Sequence, residues 1–214
     1  MRFHLITLFP DAFKSYLGES ILKRAIEDKK IEVKFYNPRD FTEDKHKRID
    51  RAPYGGGPGM VIQAEPVIKA IESATKKLQA KNYKLIWLTP SGKQFDTKIA
   101  KTYAKKYSDI IFICGRYEGI DARVKKIYRV EEVSIGPFVL TGGELPAMII
   151  IDCVSRQIEG VLGDINSLEE NRIASSDVYT RPESFKYKNK TYKVPKVLLS
   201  GHHKKIDEWR GKKK

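Results

Sequence analysis

The chain has 214 residues, with 41 lysines and arginines against 27 aspartates and glutamates, which gives a formal net charge of +14. This length can form one hydrophobic core with a small appendage. The chain contains no apolar run of about eighteen residues, so the sequence predicts no membrane span. The positive charge favours an acidic partner such as nucleic acid.

The first part of the chain predicts two strands around one helix. Residues 2–8 and residues 31–37 alternate loosely between apolar and polar positions, which is typical of strands. Ser20 belongs to a residue type that commonly caps helices, and a helix is expected over residues 21–29. Its inner face is expected to carry Ile21, Leu22, Ala25 and Ile26.

The middle of the chain continues this alternation of strands and helices, which predicts a mainly parallel sheet covered by helices. A turn at residues 90–92 is expected to end one strand, and Asp96 is expected to cap the helix that follows. The expected helices span residues 65–81, 97–107 and 144–158, and the expected strands span residues 84–89 and 110–114.

Three loops that contain glycine follow apolar strands within residues 109–148. They centre on Gly115, on Gly136 and on the pair Gly142 and Gly143. Any one of them could be a simple tight turn, but α/β proteins bind ligands at strand ends. Three such loops within this segment therefore predict a ligand site.

The two cysteines, Cys114 and Cys153, lie in apolar surroundings and lack C-x-x-C spacing, and the four histidines form no zinc pattern. This usage is typical of free thiols in a reducing cytoplasm. The apolar stretch within residues 1–13 is too short for a signal peptide. We therefore expect a cytoplasmic protein without a bound metal.

The basic charge is concentrated at the C-terminal end. Residues 186–214 contain eleven lysines and arginines and two acidic residues, so this segment carries +9 of the formal net charge of +14. Tyr187, Tyr192 and Trp209 lie among these basic residues and offer surfaces on which bases stack. This combination predicts contact with nucleic acid.

Seven motifs extend over nearly the whole chain, and together they resemble the bacterial tRNA (guanine-N1)-methyltransferases of the SPOUT superfamily. The resemblance implies an α/β fold whose C-terminal part forms a trefoil knot, an exception to the rule that chains are unknotted. The motifs are PRDF (38–41), PYGGGPGM (53–60), CGRYEGID (114–121), SIGPFVLTGGELPAM (134–148), VSR (154–156), YTRP (179–182) and VLLSGHH (197–203).

The resemblance implies a cytoplasmic homodimer that transfers a methyl group from S-adenosylmethionine to N1 of the guanosine immediately 3′ of the anticodon in tRNA. Glycines in the cofactor loops would let the backbone approach the adenosyl group closely. The cofactor-binding residues implied by motif are Trp87, Leu88, Thr89, Pro90, Gly115, Tyr117, Glu118, Ile135, Gly136, Pro137, Phe138, Val139, Leu140, Gly142, Gly143 and Pro146.

Methylation of guanine N1 requires a base to remove its proton and a cation to stabilise the charge that develops on O6. Arg156 matches the arginine of the family's VSR motif. The family's general base is an aspartate, but Asn171 stands at that position here, and an amide is no base. Glu170 and Asp177 are the alternatives that we consider.

The resemblance further implies that Asp50, Tyr54 and Gly59 contact the RNA. Arg51 stands where the family more often has an acid. By this reasoning the domains are a knotted methyltransferase domain (1–162), a linker (163–183) and a basic tRNA-binding region (184–214) that is reduced relative to the family.

Two other functions stay open from the sequence. One is a SPOUT methyltransferase that acts on another RNA, although the YGGGPGM and GGELPAM motifs argue against it. The other is a catalytically impaired RNA-binding paralogue, which the departure at Asn171 keeps open.

Overall fold

A parallel sheet forms the centre of the first part of the chain. The computed structural model describes residues 1–78, 82–163 and 177–212. The strands before residue 163 are β1 (Arg2–Ile6), β2 (Glu32–Tyr36), β3 (Asp50–Arg51), β4 (Val61–Ile62), β5 (Tyr83–Gln94), β6 (Asp109–Ile113) and β7 (Glu131–Ser134). Five of them pair in the order β2-β1-β6-β5-β7, and every pairing is parallel. The predicted α/β class with a mainly parallel sheet is confirmed.

The helices of this part are α1 (Lys14–Leu17), α2 (Ser20–Glu27), α3 (Ala64–Thr75), α4 (Thr97–Lys106), α5 (Arg123–Ile127) and α6 (Glu144–Ser155), with 3-10 turns at Pro10–Phe13 and Pro38–Phe41. The capping role of Asp96 is confirmed, because its carboxylate accepts a hydrogen bond of 2.8 Å from the Ile99 N–H. Among the described residues, no helix has both the length and the apolar character of a membrane span.

The sheet is buried on both faces, which explains why every residue of β6 is buried. Ile110 and Phe112 pack on one face with residues from α2, α4 and α6. Ile111 and Ile113 pack on the other face with residues from α3 and α5. Successive strand residues point to opposite faces, so a continuous apolar run is what a strand between two helical layers requires.

Two details predicted around α2 are wrong. Ser20 is the first helical residue, with a positive φ of 51°, and Glu19 occupies the capping position without a side-chain hydrogen bond. Ile21 is 37% exposed, whereas Leu22 and Ala25 are buried. The buried stripe of the helix therefore consists of Leu22 and Ala25, with Ile26 partly buried beside them, and Ile21 lies outside it.

Other elements also differ from the prediction, among them helix α6, which ends at Ser155 and not near residue 158. Helix α3 ends at Thr75, whereas the predicted helix ran to residue 81, which lies outside the described residues. The turn expected to end a strand at residues 90–92 is wrong, because β5 continues through these residues to Gln94, and both Leu88 and Lys93 pair with Val133 across an irregularity in the register. Helix α5 was not predicted, since its five residues are too few to show a helical period.

A buried polar network lies at the start of β1 and β6. Asp109 is 2% exposed and accepts hydrogen bonds from Arg2 at 2.6 and 2.9 Å, from Ser108 at 2.7 Å and from His4 at 2.9 Å. Burial alone would raise the pKa of Asp109, but these donors outweigh burial and lower its pKa to about 2.

We expect Asp109→Asn to destabilise the protein by about 2 kcal/mol at neutral pH, which is the free energy equivalent of that pKa shift. The folded pKa lies below the unfolded one, so the stabilisation is complete above about pH 4 and is lost as the pH falls towards 2. Urea unfolding of both proteins across this range measures the difference. If the difference in unfolding free energy between the two proteins did not shrink at low pH, the stabilising role of the Asp109 carboxylate would be contradicted.

The chain divides into two compact units, Met1–Leu162 and Gly163–Lys214. In the second unit, β8 (Ser184–Tyr187) and β9 (Lys190–Lys193) form an antiparallel hairpin, followed by α7 (Lys196–Leu199) and α8 (His203–Lys212). Most of the predicted linker, residues 164–176, lies outside the described residues. The predicted domain boundaries remain a proposal.

Candidate active site

A cavity of about 480 Å³ lies beside the loops that follow β6 and β7 and the irregular part of β5. This volume falls in the range of small-molecule sites. The cavity is lined by Trp87, Leu88, Thr89, Pro90, Gly115, Arg116, Tyr117, Glu118, Gly119, Ile120, Ala122, Lys125, Val133, Ser134, Ile135, Gly136, Phe138, Val139, Leu140, Thr141, Gly142, Gly143 and Pro146.

All of the cofactor-binding residues implied by motif line this cavity except Pro137, which is exposed. The structure therefore brings the three predicted glycine loops together around one space. Sequence reasoning did not assign Arg116, Lys125 or Thr141 to the site, although all three line it. The position of Arg116 directly after Gly115 was the signal that could have identified it.

The loop after β6 and the loop before α6 are held together by their backbones. The Gly143 N–H donates to the Gly115 carbonyl at 3.0 Å, and Arg116 and Gly142 form an antiparallel bridge. A Cβ atom on Gly143 would lie 2.7 Å from the Cα atom of Cys114. The absence of a side chain at Gly143 therefore permits close contact between two loops, and because Gly143 also lines the cavity, its role in cofactor binding stays a prediction.

An ion pair reinforces the same junction. The Arg116 Nε atom donates to Glu144 at 3.0 Å, and the Thr7 hydroxyl donates to the other oxygen of that carboxylate at 2.8 Å. Glu144 is 3% exposed. The Arg116 guanidinium lies over the Phe9 ring at 4.6 Å, so Arg116 is fixed on both sides.

The loop after β6 also contacts the glycine-rich loop before β4. The Glu118 N–H donates to the Met60 carbonyl at 3.0 Å, and the Ile62 N–H donates to the Gly119 carbonyl at 3.0 Å. Gly59 has a φ of 89°, and a Cβ atom there would lie 2.7 Å from the Glu118 carboxylate. The positive φ is the reason that favours glycine at position 59, because the Glu118 side chain is flexible and can move away from a Cβ atom.

The residues predicted to contact RNA lie in this second loop and its flanking strands. Asp50 pairs with Ile62 across β3 and β4, and the Tyr54 side chain is fully exposed. Through its contact with Glu118, Gly59 places this loop next to a residue that lines the cavity.

The described part of the structure does not bring the candidate catalytic residues together. Arg156 is partly buried at the C-terminal end of α6 and does not line the cavity. Asp177 belongs to the second unit. Glu170 and Asn171 lie outside the described residues. The structure describes no group of three or more His, Cys, Asp or Glu side chains suited to a metal ion within the residues it covers.

Both cysteines are free thiols; Cys114 is buried and Cys153 is partly buried. Burial raises the pKa of the Cys114 thiol well above its ordinary value, which makes it a poor nucleophile. It therefore serves packing next to Gly115 rather than chemistry.

The fold and the cavity define an α/β protein with a candidate ligand site at the carboxyl end of a parallel sheet, where loops rather than a G-x-G-x-x-G helix start line the cavity. A family model described as tRNA (Guanine-1)-methyltransferase TrmD matches residues 1–214. The chain belongs to this family, and with it to the SPOUT superfamily of methyltransferases.

Three curated relatives illustrate the similarity, each named tRNA (guanine-N(1)-)-methyltransferase. The protein from Clostridioides difficile is 49% identical over 214 residues, which cover 98% of this chain and 90% of the relative. The protein from Dictyoglomus turgidum is 48% identical over 216 residues, which cover 99% of this chain and 84% of the relative. The protein from Carboxydothermus hydrogenoformans is 48% identical over 216 residues, which cover 99% of this chain and 82% of the relative.

Proposed function

We propose that this protein transfers a methyl group from S-adenosylmethionine to N1 of the guanosine immediately 3′ of the anticodon in tRNA. The observation that carries the proposal is the cavity, because the loops that form it are the motifs by which the chain resembles its methyltransferase family. We infer that the protein acts in the cytoplasm, where its tRNA substrate is found.

The lining of the cavity suits S-adenosylmethionine, which is an amphipathic molecule. Leu88, Ile135 and Leu140 supply apolar walls for an adenine ring, while the backbone groups beside Gly115 and Gly142 can hydrogen-bond to polar edges. When bound, the cofactor supplies an electrophilic methyl group on a sulfonium. The protein's part is to orient this group against guanine N1.

Proton removal from guanine N1 falls to a linker carboxylate in this proposal. Glu170 takes the proton as general base, with Asp177 as the alternative, because Asn171 has no basic atom. Arg156 stabilises the negative charge that develops on O6. The trefoil knot and these three roles are expectations from the family that remain proposals for this chain.

The deciding experiment is methylation of tRNA transcripts with labelled S-adenosylmethionine. Transcripts with guanosine 3′ of the anticodon are expected to be methylated at N1, and matched transcripts with adenosine there are expected to be inert. Methylation of an unrelated RNA instead would favour the alternative SPOUT activity. Binding of tRNA without turnover would favour the impaired paralogue.

We propose that the protein is a homodimer whose sites combine two chains. An Arg156→Ala variant and a Leu140→Glu variant, which introduces a charge into the cavity, are each expected to be inactive alone. Co-expressed, they are expected to recover roughly a quarter of normal activity, because random pairing leaves one intact site in each mixed twofold dimer. Failure to recover activity in demonstrated mixed dimers would contradict a site that takes Arg156 and the cavity from different chains, and a monomer in ultracentrifugation would contradict the dimer.

A further inference from the structure

The hairpin formed by β8 and β9 has one aromatic face that remains exposed. Phe185 pairs with Tyr192 and Tyr187 pairs with Lys190 in the antiparallel register. Directly opposed residues share a face of a hairpin, so these four side chains lie on the same side. Their rings are well exposed, at 58% for Phe185, 61% for Tyr187 and 43% for Tyr192.

These rings are arranged as a platform rather than as a small core. The rings of Phe185 and Tyr192 lie nearly parallel, at 18°, with centroids 5.6 Å apart. Lys188 lies over the Tyr187 ring at 5.6 Å, and Lys190 lies over the Tyr192 ring at 5.8 Å. A flat ring next to an ammonium group is suited to an aromatic ligand that carries negative charge nearby.

The charge around the platform has a single sign. Residues 184–206 contain seven lysines and no acidic residue. Lys186 and Lys193 lie on the opposite face of the hairpin, because they alternate with the aromatic positions. A partner must therefore be anionic along its length and must also present flat apolar surfaces.

We propose that the aromatic face of this hairpin stacks on unpaired bases of the RNA substrate while its lysines contact the adjoining phosphates. Nucleic acid combines flat bases with a continuous anionic backbone, and stacking on aromatic side chains is the common mode by which proteins hold unpaired bases. A paired stem hides its base faces, so the platform selects loop nucleotides. This inference rests on the proposed function for the identity of the RNA as tRNA.

The test measures binding of the whole protein to an anticodon stem–loop RNA and to a blunt duplex of matched length, by fluorescence anisotropy. Phe185→Ala and Tyr187→Ala are each expected to weaken binding to the stem–loop by about fivefold to a hundredfold, the range found for loss of one stacking contact. Binding to the duplex is expected to change little. Phe185→Tyr and Tyr192→Phe keep a ring and are expected to bind normally.

The dependence of RNA binding on salt concentration distinguishes stacking contacts from contacts between lysines and phosphates. Lys190→Ala is expected to reduce the salt slope by about 0.7–0.9, because Lys190 lies on the aromatic face and contacts one phosphate there, whereas loss of a ring is expected to leave the slope unchanged. Tyr187→Ala matters here because it leaves the stacked pair of Phe185 and Tyr192 intact. Its effect therefore does not depend on the hairpin losing its structure.

The proposal is overturned if ring loss leaves binding to the stem–loop unchanged, or if it weakens binding to the duplex equally. It is also overturned if ring loss instead dissociates the protein in ultracentrifugation, since the platform would then face a second copy. If the wild-type protein fails to methylate tRNA but the ring variants still lose loop binding, the proposed function fails while the stacking surface stands.

Discussion

Glu170→Gln is expected to slow methyl transfer by about 10²–10⁴-fold, which is the range that a positioned general base contributes. The substitution keeps the size of the side chain but removes its basic oxygen. The measurement is single-turnover methylation with S-adenosylmethionine and tRNA at saturating concentrations, so that binding defects do not contribute to the rate.

Asp177→Asn is the matched control, because it makes the same chemical change seven residues further along the chain. Loss of rate confined to Glu170→Gln supports Glu170 as the base, and loss confined to Asp177→Asn transfers the role. If both variants retain rates within a fewfold of normal, neither residue removes the N1 proton. A rate that rises with pH in the wild-type protein and becomes independent of pH in the slow variant would identify the base directly.

Arg116→Ala is expected to destabilise the protein by about 3 kcal/mol, because it leaves a buried carboxylate without its cation. Among the described residues, Glu144 would then keep the Thr7 hydroxyl as its hydrogen-bond partner. The loop after β6 would also lose its link to the loop before α6, so the affinity for S-adenosylmethionine is expected to fall as well. Urea unfolding and titration calorimetry measure the two effects separately.

The double variant Arg116→Ala/Glu144→Gln distinguishes the two effects. It removes the uncompensated charge, so it is expected to regain part of the stability, but it does not restore the link between the loops or the cofactor affinity. Arg123→Ala serves as the control, because its ion pair with Asp121 is on the surface and is expected to change stability little. Unchanged stability in Arg116→Ala would refute the structural role of the pair.

Local chemistry explains which parts of the fold could be predicted. The strand near residues 110–114 was predictable because burial on both faces leaves a continuous apolar run. The cap at Asp96 was predictable because its hydrogen bond joins residues three apart. The cap at Ser20 was not, because the adjacent Glu19 adopts the capping conformation instead.

The continuation of β5 past residue 90 could not be predicted, because it depends on pairing with β7, about forty residues later. Proline and glycine at positions 90 and 92 normally end a strand. The parallel partner nevertheless allows the chain to resume its ladder after an irregularity. Register across a sheet is a tertiary property that local sequence does not encode.

The candidate site likewise has parts that could be predicted from the sequence and parts that could not. Glycines at strand ends and the family motifs indicated the loops, and the structure gathers those loops around one cavity. The pairing of Arg116 with Glu144, 28 residues apart, was not predictable from spacing. The neighbours of Gly143 could not be predicted either, because only the folded chain brings the Cys114 backbone against it.

The strand order has a consequence for the protein while it is being made. Strand β6 lies between β1 and β5, so the sheet is open at its middle until residues 109–113 have left the ribosome. At about 5–20 residues per second, synthesis of the intervening hundred or so residues takes roughly 5–20 seconds. The edge of β1 stays unpaired throughout that interval, and the edge of β5, which ends at Gln94, is unpaired as well while the last residues before Asp109 are made. Newly made copies are therefore most dependent on chaperones just before their central strand emerges.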